Sequence, residues 1–173
     1  MQLRIYDPRV IAIDLRHRRC GFAIFEGPRV LLDFGTLALP GKDDNESKAR
    51  LLGFLRLADP TMAVVKKERW ESLEADPGIK PFAELIRRHF DSKDALIRLL
   101  AQDAVNTTFG NLGCTTKAEI SAALARIFPE LVWQLPPERK PWQSEHPRQS
   151  VFDAIALGLA YWQNETSQLA AVS

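Results

Sequence analysis

Val10-Ile-Ala-Ile-Asp14, an apolar run that ends in a carboxylate, is followed by the basic segment Leu15-Arg-His-Arg-Arg19 and by a second apolar run, Cys20-Gly-Phe-Ala-Ile-Phe25. The two runs predict neighbouring strands joined by a short turn. A carboxylate at the end of a buried strand costs free energy unless a cation or hydrogen-bond donors meet it. The acidic centre and basic rim suit a metal ion that acts on a phosphate, whereas the alternative is an aspartate that only caps its own turn.

The length and composition indicate one globular domain. The chain has 173 residues, of which 46% are hydrophobic and 26% are charged, and its net charge is +1. These values are typical of a folded domain that buries most of its apolar surface. We expect a single domain at residues 1–165, followed by a C-terminal tail at 166–173. Any contact with nucleic acid must come from local basic clusters, because the whole chain is nearly neutral.

Cys20 and Cys114 lie in or beside apolar stretches and show no neighbouring pattern of metal ligands. They are typical of reduced core cysteines in a cytoplasmic protein. The start of the chain lacks the apolar core of a signal peptide, and no run approaches the ~18 apolar residues of a membrane span. The sequence therefore predicts a soluble, cytoplasmic protein without membrane contact.

The apolar periodicity predicts a mixture of strands and helices. Strands are expected at residues 9–15, 20–26, 29–39, 62–65, 95–101 and 131–135. Helices are expected from Glu46 or Ser47 to Asp59, at 81–89, at 102–109, from Thr115 or Thr116 to Phe128 and from Pro147 onwards, with polar loops at 40–45, 70–80 and 136–147. A meander of strands followed by strands that alternate with helices predicts an α/β fold with one mixed sheet.

The order of these elements and three short motifs resemble the RuvC family of Holliday-junction resolvases, within the ribonuclease H-like superfamily. The first motif is Val10-Ile-Ala-Ile-Asp14 with Arg18 and Gly21-Phe after it. Asp153-Ala-Ile-Ala-Leu-Gly-Leu-Ala160 resembles the family's closing helix, and Ala104-Val-Asn-Thr-Thr-Phe-Gly110 with Lys117 resembles a middle segment. The resemblance implies a ribonuclease H-like mixed five-stranded sheet, in which a three-stranded antiparallel meander is joined to parallel strands and flanked by helices.

The resemblance also implies a metal-dependent endonuclease that cleaves branched DNA, with roles in DNA recombination and repair. Such an enzyme uses two Mg²⁺ ions about 3.5–4 Å apart, held by carboxylates, and Mn²⁺ can substitute for them. The resemblance assigns Asp14, Glu68 and Asp153 as metal ligands, with Glu145 completing the catalytic set and His146 as an alternative for that last position. Two symmetric cuts in a junction imply a homodimer.

Two positions depart from the family pattern. Lys66 stands where the family has a glutamate at the end of the fourth strand, and Ser150 stands where it has the first of two acids in the last helix. Glu68 is two residues beyond Lys66, so it shares that face of an extended chain but lies roughly 6.6 Å further along. We expect a bulge or a register shift to bring Glu68 towards Asp14 and to turn Lys66 away.

Basic residues near these acids are candidates for contacts with DNA phosphates. Arg16, Arg18 and Arg19 lie within reach of a phosphate held at the strand end, although a solvated hairpin tip is the alternative. Lys117, in the first turn of a helix, is unfavourably placed for the helix dipole, which a phosphate partner would explain. Lys140 precedes Trp142 in a loop, and this pair suits either base stacking or loop packing.

The sequence leaves three functions open. A metal-dependent endonuclease acting on branched or structured DNA is favoured over a degenerate relative that binds nucleic acid without cutting it. A fragment of an actin-like kinase or ATPase is disfavoured, because the chain has room for one such domain and lacks a glycine-rich second phosphate loop. Two acids also have structural interpretations in place of a role in the site. Glu68 is then a solvated residue at a strand end, and Asp153 interacts with the helix dipole. If Lys66 faces the site and Glu68 faces solvent, the binding-only function is expected.

Overall fold

The computed structural model of the protein describes residues 8–39 and 44–172. The strands are β1 (Arg9–Arg16), β2 (Arg19–Glu26), β3 (Val30–Ala38), β4 (Met62–Lys66) and β5 (Leu96–Leu100). The helices are α1 (Asn45–Ala58), α2 (Lys67–Glu71), α3 (Lys80–Asp91), α4 (Gln102–Gly110), α5 (Lys117–Ile127) and α6 (Gln149–Val172). The start of the chain, where the sequence predicts no signal peptide, and most of the loop expected at 40–45 lie outside the described residues.

The strands form one mixed five-stranded sheet in the order β3-β2-β1-β4-β5. β1 and β3 both pair antiparallel with β2, whereas β4 pairs parallel with β1 and β5 pairs parallel with β4. Each parallel pair is joined by a segment that contains a helix, as parallel strands require. The mixed sheet predicted from the sequence is therefore confirmed.

Alternation along β1 divides the hydrophobic core between the two faces of the sheet. Val10 and Ala12 pack on one face with residues of α4, α5 and α6, whereas Ile11 and Ile13 pack on the other face with residues of α1 and α3. Asp14 continues the series of Val10 and Ala12, so its carboxyl group lies on the α6 side of the sheet. The core thus determines which face carries the acid.

The strand predicted at residues 131–135 is wrong. Pro129–Gln134 forms a 3₁₀ helix, in which Leu131 is buried while Val132 and Trp133 are exposed. Proline suits the first turn of a helix because it has no N–H group to leave unpaired. A short apolar run does not by itself distinguish a strand from a helical turn.

Two short segments after β4 differ from their predicted form. Lys67–Glu71 forms a short helix directly after β4, and Leu73–Ala75 forms a 3₁₀ helix inside the loop expected at 70–80. Helix α6 continues to Val172, so residues 166–172 of the expected tail are helical. Among the described helices, none combines the length and the apolar character needed to cross a membrane.

Candidate nucleic-acid interface

The ends of two neighbouring strands bring Asp14 and Lys66 side by side. Ile13 of β1 pairs with Val65 of β4 in parallel register, and Asp14 and Lys66 are the next residues of the two strands. Both side chains lie on the α6 side, since Val64, two residues before Lys66, packs in that core. Asp14 and Lys66 line the same surface depression. The expectation that Lys66 turns away from the site is therefore wrong.

Glu68 lies on α2, apart from this strand edge. The backbone N–H of Gln102, the first residue of α4, donates to its two carboxylate oxygens at 3.0 and 3.2 Å. Hydrogen bonds from its own backbone N–H and from Gln102 lower the pKa of Glu68. The register of β4 shows no shift against either neighbour, and the chain turns into α2 at Lys67. The expected bulge is absent from this part of the described chain, and the exposed Glu68 carboxylate caps α4 instead of approaching Asp14.

Arg16 joins three carboxylates that come from two distant parts of the sequence. Its Nε donates to Oδ2 of Asp14 at 2.5 Å, and its two terminal nitrogens donate to Glu145 and Asp153. Asp14 belongs to β1, Asp153 belongs to α6, and Glu145 lies in the loop before α6. A guanidinium group therefore stands at the point where the three carboxylates converge. Arg16 was predicted as a phosphate contact at the rim, whereas its guanidinium group is engaged inside this cluster.

Lys117 is the second cation of the cluster. Its Nζ donates to Oε1 of Glu145 at 2.5 Å and to Oδ2 of Asp153 at 3.0 Å. Gln149, one turn before Asp153 on α6, donates from Nε2 to Oδ1 of Asp153 at 2.9 Å. Both oxygens of Asp153 therefore have donors from within the protein. These ion pairs also offset the unfavourable interaction between the Lys117 charge and the dipole at the start of α5.

The protonation equilibria follow from burial and ion pairing. Burial raises the pKa of Asp14, and the nearby charge of Asp153 acts in the same direction, whereas Arg16 and Lys66 oppose the increase. The pKa of Arg16 is raised although burial disfavours its charge, because Asp14 and Asp153 stabilise the guanidinium. The pKa of Lys117 is raised in the same way by Asp153 and Glu145, against the effect of burial. The two cations therefore remain charged near neutral pH.

This cluster does not fit a two-metal centre. Its three carboxylates, Asp14, Glu145 and Asp153, are bound by Arg16 and Lys117. A nearby ammonium group, that of Lys66, would repel divalent cations. Across residues 8–39 and 44–172, no group of three or more His, Cys, Asp and Glu side chains is arranged to hold a metal ion.

Ser150 occupies the other position at which the family pattern has an acid. Its side chain is fully buried, and its Oγ donates to the carbonyl oxygen of Pro147 at 2.9 Å, at the start of α6. His146 also precedes α6, where its Nδ1 accepts a hydrogen bond from the backbone N–H of Arg148 at 3.2 Å. The start of α6 is therefore built from neutral packing and turn contacts.

A basic depression adjoins the cluster. It is lined by Asp14 and by several cations, of which Arg19, Lys66 and Arg69 lie outside the ion-pair network just described. Arg69 is held in position because its Nε donates to the carbonyl oxygen of Leu15 at 3.0 Å. The sequence interpretation named Arg19 among the arginines of the turn and considered Lys66 as a departure from the family pattern, but it gave no role to Arg69. The sequence signal for this depression was the group of basic residues at the end of β4 and directly after it, together with the basic turn after Asp14.

Two other residues predicted to contact DNA lie outside the ion cluster and the basic depression. Arg18 is an exposed residue of the β1–β2 turn and adopts a left-handed backbone conformation with φ of 63°. Lys140 lies in the exposed loop before α6, with its Nζ 5.5 Å from the ring centroid of Trp142. Trp142 is 78% exposed, so this cation–π pair is on the surface and open to a ligand.

Comparison by sequence and by structure gives different results. A scan against protein-family models finds no match, and a search of curated proteins finds none either. Among solved structures, the chain is similar to RuvC of Thermus thermophilus in complex with a Holliday junction substrate. The two share 14% identity and a TM-score of 0.63, over 91% of this chain and 96% of that chain.

A second Thermus thermophilus RuvC structure gives 15% identity and a TM-score of 0.61, over 91% of this chain and 96% of that chain. The fowlpox virus resolvase in complex with Holliday junction DNA gives 10% identity and a TM-score of 0.45, over 91% and 98% of the two chains. The two RuvC comparisons show that this chain has the RuvC-like, ribonuclease H-like fold, as the resemblance in the sequence predicted.

Proposed function

We propose that this protein, built on the RuvC-like fold, binds branched or otherwise structured DNA without cutting it. The observation that carries the proposal is the position of Lys66 beside Asp14, at the strand end where the family pattern has a metal-binding glutamate. An ammonium group at this point attracts phosphate and repels divalent cations. The site is thereby suited to holding a DNA backbone and not to activating water on a metal.

The charge balance of the cluster supports the same function. Asp14, Glu145 and Asp153 contribute three negative charges, and Arg16 and Lys117 neutralise two of them through the ion pairs described above. Lys66 nearby supplies a third positive charge. A DNA strand that approaches the cluster therefore meets little net repulsion, whereas three unpaired carboxylates would repel it.

The experiment measures binding and cleavage on the same substrate. A fluorescently labelled four-way DNA junction is titrated with the protein in 100 mM salt, and the same complex is incubated with 10 mM Mg²⁺ or 1 mM Mn²⁺, conditions chosen because affinity for DNA depends on salt. We expect junction binding that weakens as salt rises, and no cut strand on a denaturing gel. Absence of binding to the junction and to a matched duplex would overturn the proposal.

A metal-dependent endonuclease is the second candidate, because three carboxylates from different parts of the chain converge on one point, that of Arg16. For this function Arg16 must leave the cluster when DNA and Mg²⁺ bind. Cleavage of the junction by the native protein, lost in Asp14→Asn and retained in Asp33→Asn on β3, would establish it. The homodimer expected for a resolvase is tested separately, by light scattering with and without the junction.

A further inference from the structure

We propose that a second cavity, beside the ion cluster, binds one phosphate group of the nucleic acid, with Lys66 as its main cation and Lys117 as its second. The cavity has a volume of about 150 Å³ and lies where the end of β4 meets α4, α5 and α6. This inference rests on the proposed function and names the residue that contacts the DNA backbone. The phosphate would be bound directly by an ammonium group, at the position where the family pattern has a metal ligand.

Lys66 is the cation of this cavity that lacks a partner in the protein. Its side chain is half-buried, and it forms no hydrogen bond or ion pair within 4.0 Å among the described residues. Asp14 and Glu68 act on it only through longer-range electrostatics. An ammonium group that forms no ion pair or hydrogen bond within the protein has all its N–H donors available to an anionic ligand.

The lining of the cavity provides hydrogen-bond donors for phosphate oxygens. Each lysine ammonium carries three N–H donors, and Asn106 contributes a side-chain amide whose oxygen already accepts from Nε2 of Gln102 at 3.0 Å. This hydrogen bond uses the oxygen of Asn106 and leaves its two N–H groups as donors. The carboxylate on the wall, Asp153, is already bound by Arg16, Lys117 and Gln149. Its charge is therefore largely compensated before a phosphate enters.

Lys66 also connects this cavity to the basic depression on the other side of the strand end. The depression has a volume of about 450 Å³, and Lys66, Arg19 and Arg69 contribute to its wall. A DNA strand that lies across this edge of the sheet would thus meet cations on both sides of Lys66. This continuity favours a nucleic-acid backbone, with several phosphates in a row, over a small anion as the natural ligand.

The test compares Lys66→Met with Lys67→Met. Lys67 is the next residue, carries the same charge and is exposed on α2, where its Nζ lies 4.0 Å from Glu71. We expect Lys66→Met to weaken junction binding about tenfold and to reduce the slope of log affinity against log salt by about 0.9, the value for one phosphate contact. Lys67→Met should leave both quantities close to those of the native protein. Lys66→Arg, which keeps the charge, should retain most of the affinity.

A second measurement needs no DNA and therefore separates the two proposals. Inorganic phosphate should raise the melting temperature of the native protein and of Lys67→Met above the values in chloride at equal ionic strength, and should have no such effect on Lys66→Met. Phosphate stabilisation through Lys66 without junction binding would overturn the proposed DNA function alone. Junction binding with Lys66→Met and Lys67→Met indistinguishable in affinity, salt slope and phosphate response would overturn the Lys66 site and leave the DNA function standing.

Discussion

Gly21 on β2 packs directly against the backbone of Ser150 at the start of α6. A Cβ atom added to Gly21 would overlap the carbonyl group of Ser150 and would lie 2.9 Å from its Cβ. Gly21 is also the pairing partner of Asp14 in the β1–β2 ladder. The close approach of helix and sheet is therefore made beside Asp14, and it sets the distance at which Asp153 meets Arg16.

Replacing Gly21 by alanine should destabilise the fold by about 1–3 kcal/mol, the usual cost of forcing an extra carbon into a packed core. The measurement is the free energy of unfolding in urea. Gly53→Ala is the matched control, because Gly53 lies inside α1 and a Cβ there meets nothing within 4 Å. That control should stabilise the protein by about 0.5–1 kcal/mol through helix propensity. Equal effects of the two substitutions would contradict the close-packing interpretation.

A strand was predictable from the sequence where alternate residues pack against the same layer of helices. The run from Val10 to Asp14 shows this clearly, since its alternation places the acid on the α6 side. The run at 131–135 did not have this property, because only Leu131 of its first three residues is buried. Periodicity over so few residues cannot distinguish a half-covered strand from one helical turn.

The site was harder to predict because it depends on where a strand ends. Glu68 shares a face with Lys66 only if the chain stays extended for two more residues, and here α2 begins at Lys67. Arg16 was recognised as basic and near Asp14, but its partners Glu145 and Asp153 are more than a hundred residues away. Only the packing of α6 on the sheet brings these groups together.

The capping role of Glu68 predicts an effect on stability and none on DNA binding. Glu68→Ala should lower the free energy of unfolding by about 1 kcal/mol, the scale of a lost helix cap, because it removes the acceptor for Gln102 N–H. Glu68→Gln should cost less, since the amide oxygen can still accept. Glu71→Ala, an exposed change on the same short helix, serves as the control and should have the smaller effect. Junction affinity that falls in Glu68→Ala but not in Glu71→Ala would assign Glu68 to the binding surface.

The ion pairs of Glu145 predict a loss of stability in acid. Although burial opposes it, hydrogen bonds from Lys117 and Arg16 lower the pKa of Glu145 below its ordinary value of 4.5. The unfolded chain therefore takes up the proton first as pH falls, so the stabilisation is complete above about pH 4.5 and is lost as pH falls through the folded pKa. Near pH 7, Glu145→Gln should be less stable than the native protein by about 1 kcal/mol, since the partly exposed pairs are screened.

That difference in stability should shrink as the pH falls below 4.5, which urea unfolding between pH 3 and 7 would measure, with pH values chosen to span the ordinary pKa of glutamate. Glu138→Gln is the control, because Glu138 is an exposed residue of the same loop. It should follow the native curve at every pH. A Glu145→Gln difference that stays constant with pH would show that the variant acts through packing and not through charge.

The position of Arg16 predicts that removing its guanidinium group creates a site for a divalent metal ion. Its guanidinium group fills the point at which Asp14, Glu145 and Asp153 converge, so Arg16→Ser removes one positive charge and leaves three carboxylates around a vacated volume. Oxygen ligands of this kind suit Mg²⁺ and Mn²⁺. We expect Arg16→Ser to bind one Mn²⁺ at least tenfold more tightly than the native protein in isothermal titration, with a matching rise in melting temperature. Arg18→Ser, an exposed change in the neighbouring turn, should bind Mn²⁺ no better than the native protein. Tight Mn²⁺ binding by the native protein itself would instead show that Arg16 yields its place to a metal, and would favour the endonuclease over the binding-only function.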